Sequence, residues 1–162
     1  MKVLAIVLPT IALVATAYSD PLRSQIVASD KIICGAIKSK NMALFEKAVR
    51  AGAAPNFIYV EKGHTMNMTQ MITEVKRGFT TMGSLSTVES KIVGFKESGS
   101  TASAMTAHKI VTTVSGPDKK KHTMVYTGTS NETYVKQGGK WLMTKMAWIS
   151  EGMSMDGKPM KM

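Results

Sequence analysis

Apolar and polar residues repeat along this chain with two different periods, and the change falls near Gly83. Before it, apolar positions recur at helical spacing. Leu22, Ile26, Ile33 and Ile37 form one stripe over residues 22–38, which predicts a helix whose last turn Gly35 weakens. Asn41 is placed to cap a second helix over 42–51, with a stripe of Leu44, Phe45, Ala48 and Val49; Gly52 and Pro55 end it. Residues 56–60 are a short β-rich run, and 61–64 read as a turn. Asn67 and Gln70 have the spacing of a capping box, ahead of a helical face of Met68, Met71, Ile72, Val75 and Phe79.

After Gly83 the content turns strand-like. Residues 85–97 carry Val88, Ile92, Val93 and Phe95 in imperfect alternation, and 101–115 are rich in Thr, Val and Ile. In 122–136 the alternation is clear. Met124, Tyr126, Gly128, Ser130, Glu132 and Tyr134 share one face, and Val125, Thr127, Thr129, Thr133 and Val135 the other. Gln137-Gly138-Gly139 is a hairpin signal before a last strand over 140–151, and 152–162 show no period. Helices followed by a run of hairpin strands predict an α+β fold: a cone-shaped α+β barrel with N-terminal helices packed on a curved antiparallel sheet.

Several stretches then carry a resemblance. Ala43-Leu44-Phe45-Glu46-Lys47, Pro55-Asn56-Phe57-Ile58-Tyr59-Val60, Glu97-Ser98-Gly99-Ser100-Thr101-Ala102 and Gly138-Gly139-Lys140-Trp141-Leu142 occur in this order. Together they resemble the nuclear transport factor 2-like superfamily, near its SnoaL-like and ketosteroid-isomerase-like members. The second stretch resembles the family's "A-P-D-F-V-Y-V" entry to its first strand, and the last its "G-G-R-W" entry to the final strand. The resemblance implies a helix-lined cone that hosts enzymes, binding modules and dimerisation domains in different members, many of them homodimers.

The start of the chain stands apart. Lys2 precedes a 15-residue apolar run (3–17) that ends Ala15-Thr16-Ala17, the small-residue pattern of a signal-peptidase site. The run is shorter than the ~20 residues of a membrane span. It predicts cleavage after Ala17, a secreted or periplasmic protein without a membrane span, a domain over 18–152 and a flexible Met-rich tail over 153–162. The net charge of +10 is dispersed, apart from Lys119-Lys120-Lys121, with no aromatic-interleaved basic stripe. That argues against nucleic acid as a partner. A single cysteine, Cys34, excludes an intrachain disulfide framework and a Cys-rich zinc site.

Three functions stay open. The first is binding of a small hydrophobic molecule in the cone, with Tyr59, His108, Tyr126, Met146 and Trp148 as candidate lining residues and no cofactor. The second is an isomerase or cyclase. Ketosteroid isomerases use a cavity carboxylate as base with buried donors opposite, which here points to Glu61 or His108 as base; the acidic pair of that family is not evident. The third is a structural dimerisation module with a filled cone. Soft ligands offer one metal alternative, a Cu(I) site from His64, Met66, Met153 and Met155; otherwise no metal is expected.

Overall fold

The computed structural model describes residues 21–117 and 119–161; the expected export signal, residues 1–17, lies outside them. Two helices come first, α1 (Pro21–Lys38) and α2 (Met42–Gly52). A hairpin of β1 (Ala53–Glu61) and β2 (His64–Asn67) leads into α3 (Met68–Thr81). Four long strands follow, β3 (Ser84–Ser98), β4 (Thr101–Ser115), β5 (Lys121–Gln137) and β6 (Lys140–Met155), and then a short β7 (Lys158–Met160).

Local chemistry explains the helix starts. The Asn41 side chain accepts from Leu44 N, and Asn67 and Gln70 form a complete capping box on α3. Asn67→Ala is expected to cost about 1 kcal/mol, read as a lowered denaturation midpoint at unchanged m-value.

The strands form one open, curved sheet in the order β2-β1-β6-β5-β4-β3, with β7 beside β6. The sheet is mixed, not wholly antiparallel as expected, because β1 pairs in parallel with β6. The chain leaves β1–β2 through α3, starts again at the far edge with β3, and meanders back until β6 lies against β1.

The uneven alternation in β3 has a physical cause. Register shifts at Ser86 and Val93 insert one extra residue each, and two more fall at Thr144 and Ile149 in β6. Each such bulge flips the side-chain phase and bends the strand, which curls the sheet around the helices. The C-terminal segment is not a loose tail. β6 continues through Met153 and Met155, and Asp156 and Gly157, both at positive φ, turn the chain into β7. Asp156 binds the Thr123 backbone on β5 through both its side chain and its amide. Segment 158–160 is a short edge strand exposed on both faces, so it carries no burial pattern to read.

Two apolar clusters hold the helices to the sheet. Leu22 and Ile26 of α1 pack with Ile92, Ala102, Ala104, Tyr134 and Trp141. Ala36 and Phe45 pack with Ala53, Phe57, Met71 and Ile72. Each aliphatic or aromatic side chain buried this way contributes about 1.5–3 kcal/mol. Between the clusters a space remains.

Candidate functional site

That space is a cavity of about 220 Å³, walled by members of both clusters and by the concave face of β4, β5 and β6. The described residues leave the cone unfilled. Most of its wall is apolar, from Ile26, Ile33, Phe45, Phe57, Met71 and Met143; polar groups come from the sheet and, on α1, from Gln25, Ser29 and Asp30.

Those polar groups form a continuous chain. His108 on β4 lies diagonally across from Ser130 on β5, and His108 Nε2 is 2.8 Å from Ser130 Oγ. Ser130 Oγ donates to Glu132 Oε1 at 3.0 Å, and Tyr134 donates its hydroxyl to Glu132 Oε2 at 2.7 Å. Ser130, Glu132 and Tyr134 are all buried, and Glu132 is only 2% exposed. Burial raises the Glu132 pKa, and the hydrogen bonds from Tyr134 and Ser130 work against that rise. Thr106, opposite Ser130, is close enough to favour the carboxylate but is not aligned for a hydrogen bond to it.

The same chain sets the tautomer of His108. Ser130 spends its one proton on Glu132, so its oxygen accepts from His108 Nε2–H, and Nδ1 keeps its lone pair. Burial lowers the His108 pKa to about 4. In the folded state the ring therefore binds a proton less readily than in the unfolded chain. Lowering the pH from about 6.5 towards 4 destabilises the fold through this residue. Nitrogen-15 NMR is expected to show a neutral Nε2–H imidazole at pH 5.5; an imidazolium at that pH contradicts the arrangement.

A second polar group stands beside it. Trp148 packs against His108 with the rings tilted by 52° and centroids 4.7 Å apart, and meets Tyr126 edge-on at 5.8 Å. Its indole N–H donates to the Tyr59 hydroxyl at 2.6 Å. Tyr59 in turn donates to Glu61, and Tyr126 donates to Glu151. Burial, then the neighbouring carboxylate, raises the pKa of both phenols, so both stay protonated.

The structure thus brings Tyr59, His108, Tyr126, Met146 and Trp148 into one wall. Glu61 is not among the cavity-lining residues and reaches the cavity only through Tyr59. The lining carboxylates are instead Asp30, Glu132 and, exposed at the rim, Glu89. An acidic pair is therefore present where none was evident in the sequence. Glu132 shares its parity with Tyr126 and Tyr134, and that was the available signal. Asp30, on α1, accepts from Ser90 Oγ at 2.8 Å; Cys34 Sγ lies 3.7 Å from the same hydroxyl. Burial pushes the Cys34 thiol pKa up, so it is a poor thiolate.

The Cu(I) set does not come together. His64 and Met66 pair with Glu61 and Tyr59, whereas Met153 and Met155 pair with Tyr126 and Met124, well along β6 from the part that meets β1. Among the described residues no group of three His, Cys, Asp or Glu side chains converges for a metal, and no helix is long and apolar enough to cross a membrane.

Solved structures share this fold. A protein of unknown function from Mycobacterium tuberculosis superposes with a TM-score of 0.60 at 11% identity, over 78% of this chain and 74% of that one. A nuclear transport factor 2-like superfamily protein from Salmonella enterica serovar Typhimurium gives 0.57 at 12% identity, over 78% and 89%. An NTF2-like protein from Cytophaga hutchinsonii gives 0.52 at 13%, over 78% and 95%. The chain has the nuclear transport factor 2-like fold. No family model matches it, and no curated protein matches it in sequence. At these identities the likeness fixes the architecture of this NTF2-like cone and leaves its chemistry to the residues in it.

Proposed function

We propose that this NTF2-like domain binds a small, mostly apolar molecule in its cone and holds one polar group of it at the His108–Trp148 wall. The observation that carries the reading is a mostly apolar cavity of about 220 Å³ with an ordered polar chain along its β4–β5 wall. The volume exceeds the ~150 Å³ that accepts a benzene-sized molecule and falls short of the ~300 Å³ where drug-sized pockets begin. A single ring with a short substituent fits that interval.

Binding is favoured over general acid–base catalysis by magnitude. An effective base has a pKa near the working pH, and His108 at about 4 lies well below neutrality. Each oxygen of Glu132 already accepts one hydrogen bond, from Ser130 or Tyr134, which holds the charged form and suits the group to fixing the chain and facing a cation more than to abstracting a ligand's proton. The reading includes export, on the Ala15-Thr16-Ala17 pattern, and a homodimer through the sheet, where Val93, Met105 and Ile149 are exposed. N-terminal sequencing of the exported protein and light scattering check these two parts.

The binding itself is tested by titrating the full chain with benzyl alcohol and benzylamine, followed by NMR. Saturable shifts at His108, Tyr126 and Trp148 are expected, and Ala48→Phe, which fills the cavity from α2, is expected to abolish them with far-UV circular dichroism unchanged. Absence of saturable shifts with both probes overturns the reading.

A further inference from the structure

The cone's charge runs against that of the chain. The protein carries 21 lysines and arginines against 11 acids, yet no lysine or arginine lines the cavity among the described residues. Asp30, Glu89 and Glu132 line it, and Glu61 and Glu151 stand one hydrogen bond behind it on Tyr59 and Tyr126. The hydrogen-bond directions agree with this independently of charge. Tyr59, Tyr126, Tyr134 and Ser90 all give their hydroxyl protons to carboxylates, so toward the cavity they offer only acceptor oxygens. His108 spends its N–H on Ser130 and presents a lone pair. Fully buried Thr106 Oγ1 is left without a partner beside Glu132.

An acceptor-rich, donor-poor wall is satisfied by a ligand that brings donors. An ammonium group supplies three, together with a positive charge to meet Asp30 and Glu132, and aromatic faces favour a cation further. A carboxylate or phosphate ligand finds no cation there, only neutral donors such as the Ser29 hydroxyl and the second Gln25 amide N–H, and pays the full cost of burying an anion among carboxylates.

We propose that the ligand class is a small apolar amine, bound as its cation between the Asp30–Glu132 side of the cone and the His108–Trp148 wall. This rests on the reading of the cone as a ligand site. The test compares three probes of nearly equal shape on the full chain at pH 7: benzylamine, benzyl alcohol and benzoate, by calorimetry and NMR. Benzylamine is expected to bind about tenfold tighter than benzyl alcohol, the advantage of a charge-assisted over a neutral hydrogen bond, and benzoate not to bind. In Asp30→Asn, and separately in Glu132→Gln, the ratio of the amine and alcohol affinities is expected to fall towards one. Because Asp30 is only half-buried, its variant keeps the test available if the Glu132 variant folds poorly. Alcohol binding as tight as the amine, or any benzoate binding, overturns the amine proposal while leaving the cone a ligand site. Failure of all three probes overturns both.

Discussion

Glu132→Ala is expected to destabilise the domain by about 2–4 kcal/mol. The carboxylate is 2% exposed and accepts from Ser130 and Tyr134, whose hydroxyls are themselves buried. Removing it strands two donors, each at about 1–3 kcal/mol. Part of that is returned, because a buried carboxyl is itself costly to desolvate. The net sign follows from geometry: the variant deletes the one group both donors point to and leaves a void where it stood. Glu132→Gln keeps an acceptor oxygen for one of the two hydroxyls and fills the same volume, so about half the loss is expected. Chemical denaturation of both variants checks the ordering. Equal stability of Glu132→Ala and wild type would mean that the His108–Ser130–Glu132–Tyr134 chain contributes nothing. The expected secondary effect is on His108: without Glu132, Ser130 no longer has to accept from Nε2–H, and the tautomer seen by nitrogen-15 NMR becomes mixed.

Much of the fold was legible because its signals are local. Asn67 and Gln70 mark the start of α3 by hydrogen bonds within four residues. Residues 101–115 declare a strand by composition, and 101–115 is the observed span of β4. What was not legible depends on pairing across long sequence separation. That β1 lies parallel to β6 follows from where the meander ends, which no window of sequence reports. The bulges at Ser86, Val93, Thr144 and Ile149 break the period-two pattern that would have assigned faces in β3 and β6.

The site divides the same way. Aromatic residues on the later strands point to a cavity by size and polarity, and Tyr126 and Trp148 are in it. A glutamate in an alternating strand is ordinarily solvent-facing, so residue type alone does not single out Glu132 although its parity matches Tyr134. Asp30 sits among polar residues of an amphipathic helix. Only its packing across from Ser90, sixty positions along the chain, turns it inward. Glu61 shows the opposite error: its place after a short strand suggested a cavity base, and the β1–β2 turn carries it behind Tyr59.

Gly128→Ala is expected to disable the binding wall while leaving the sheet intact. Gly128 is directly opposite His108 on β4, and the Trp148 ring crosses over it to pack, tilted, against that imidazole. A Cβ at this position would stand 2.6 Å and 2.9 Å from two carbons of the indole and 3.0 Å from Ser150 O, below any ordinary contact distance. The strand backbone is held on both sides by β4 and β6, so the indole is the part that yields. Its displacement breaks the 2.6 Å bond to Tyr59 and the ring contact with His108 together. Overpacking of this kind costs about 1–3 kcal/mol. The diagnostic outcome is the combination of a modest fall in thermal midpoint, a shifted tryptophan emission and loss of probe binding at His108. Trp148→Phe separates the two contributions. It removes the clash and the N–H donor while keeping a ring, so the double variant with Gly128→Ala should recover most of the stability of Trp148→Phe alone. Wild-type emission and wild-type probe binding in Gly128→Ala would show that the indole does not lie over this strand, and with it the wall built from Tyr59, His108 and Trp148 would have to be redrawn.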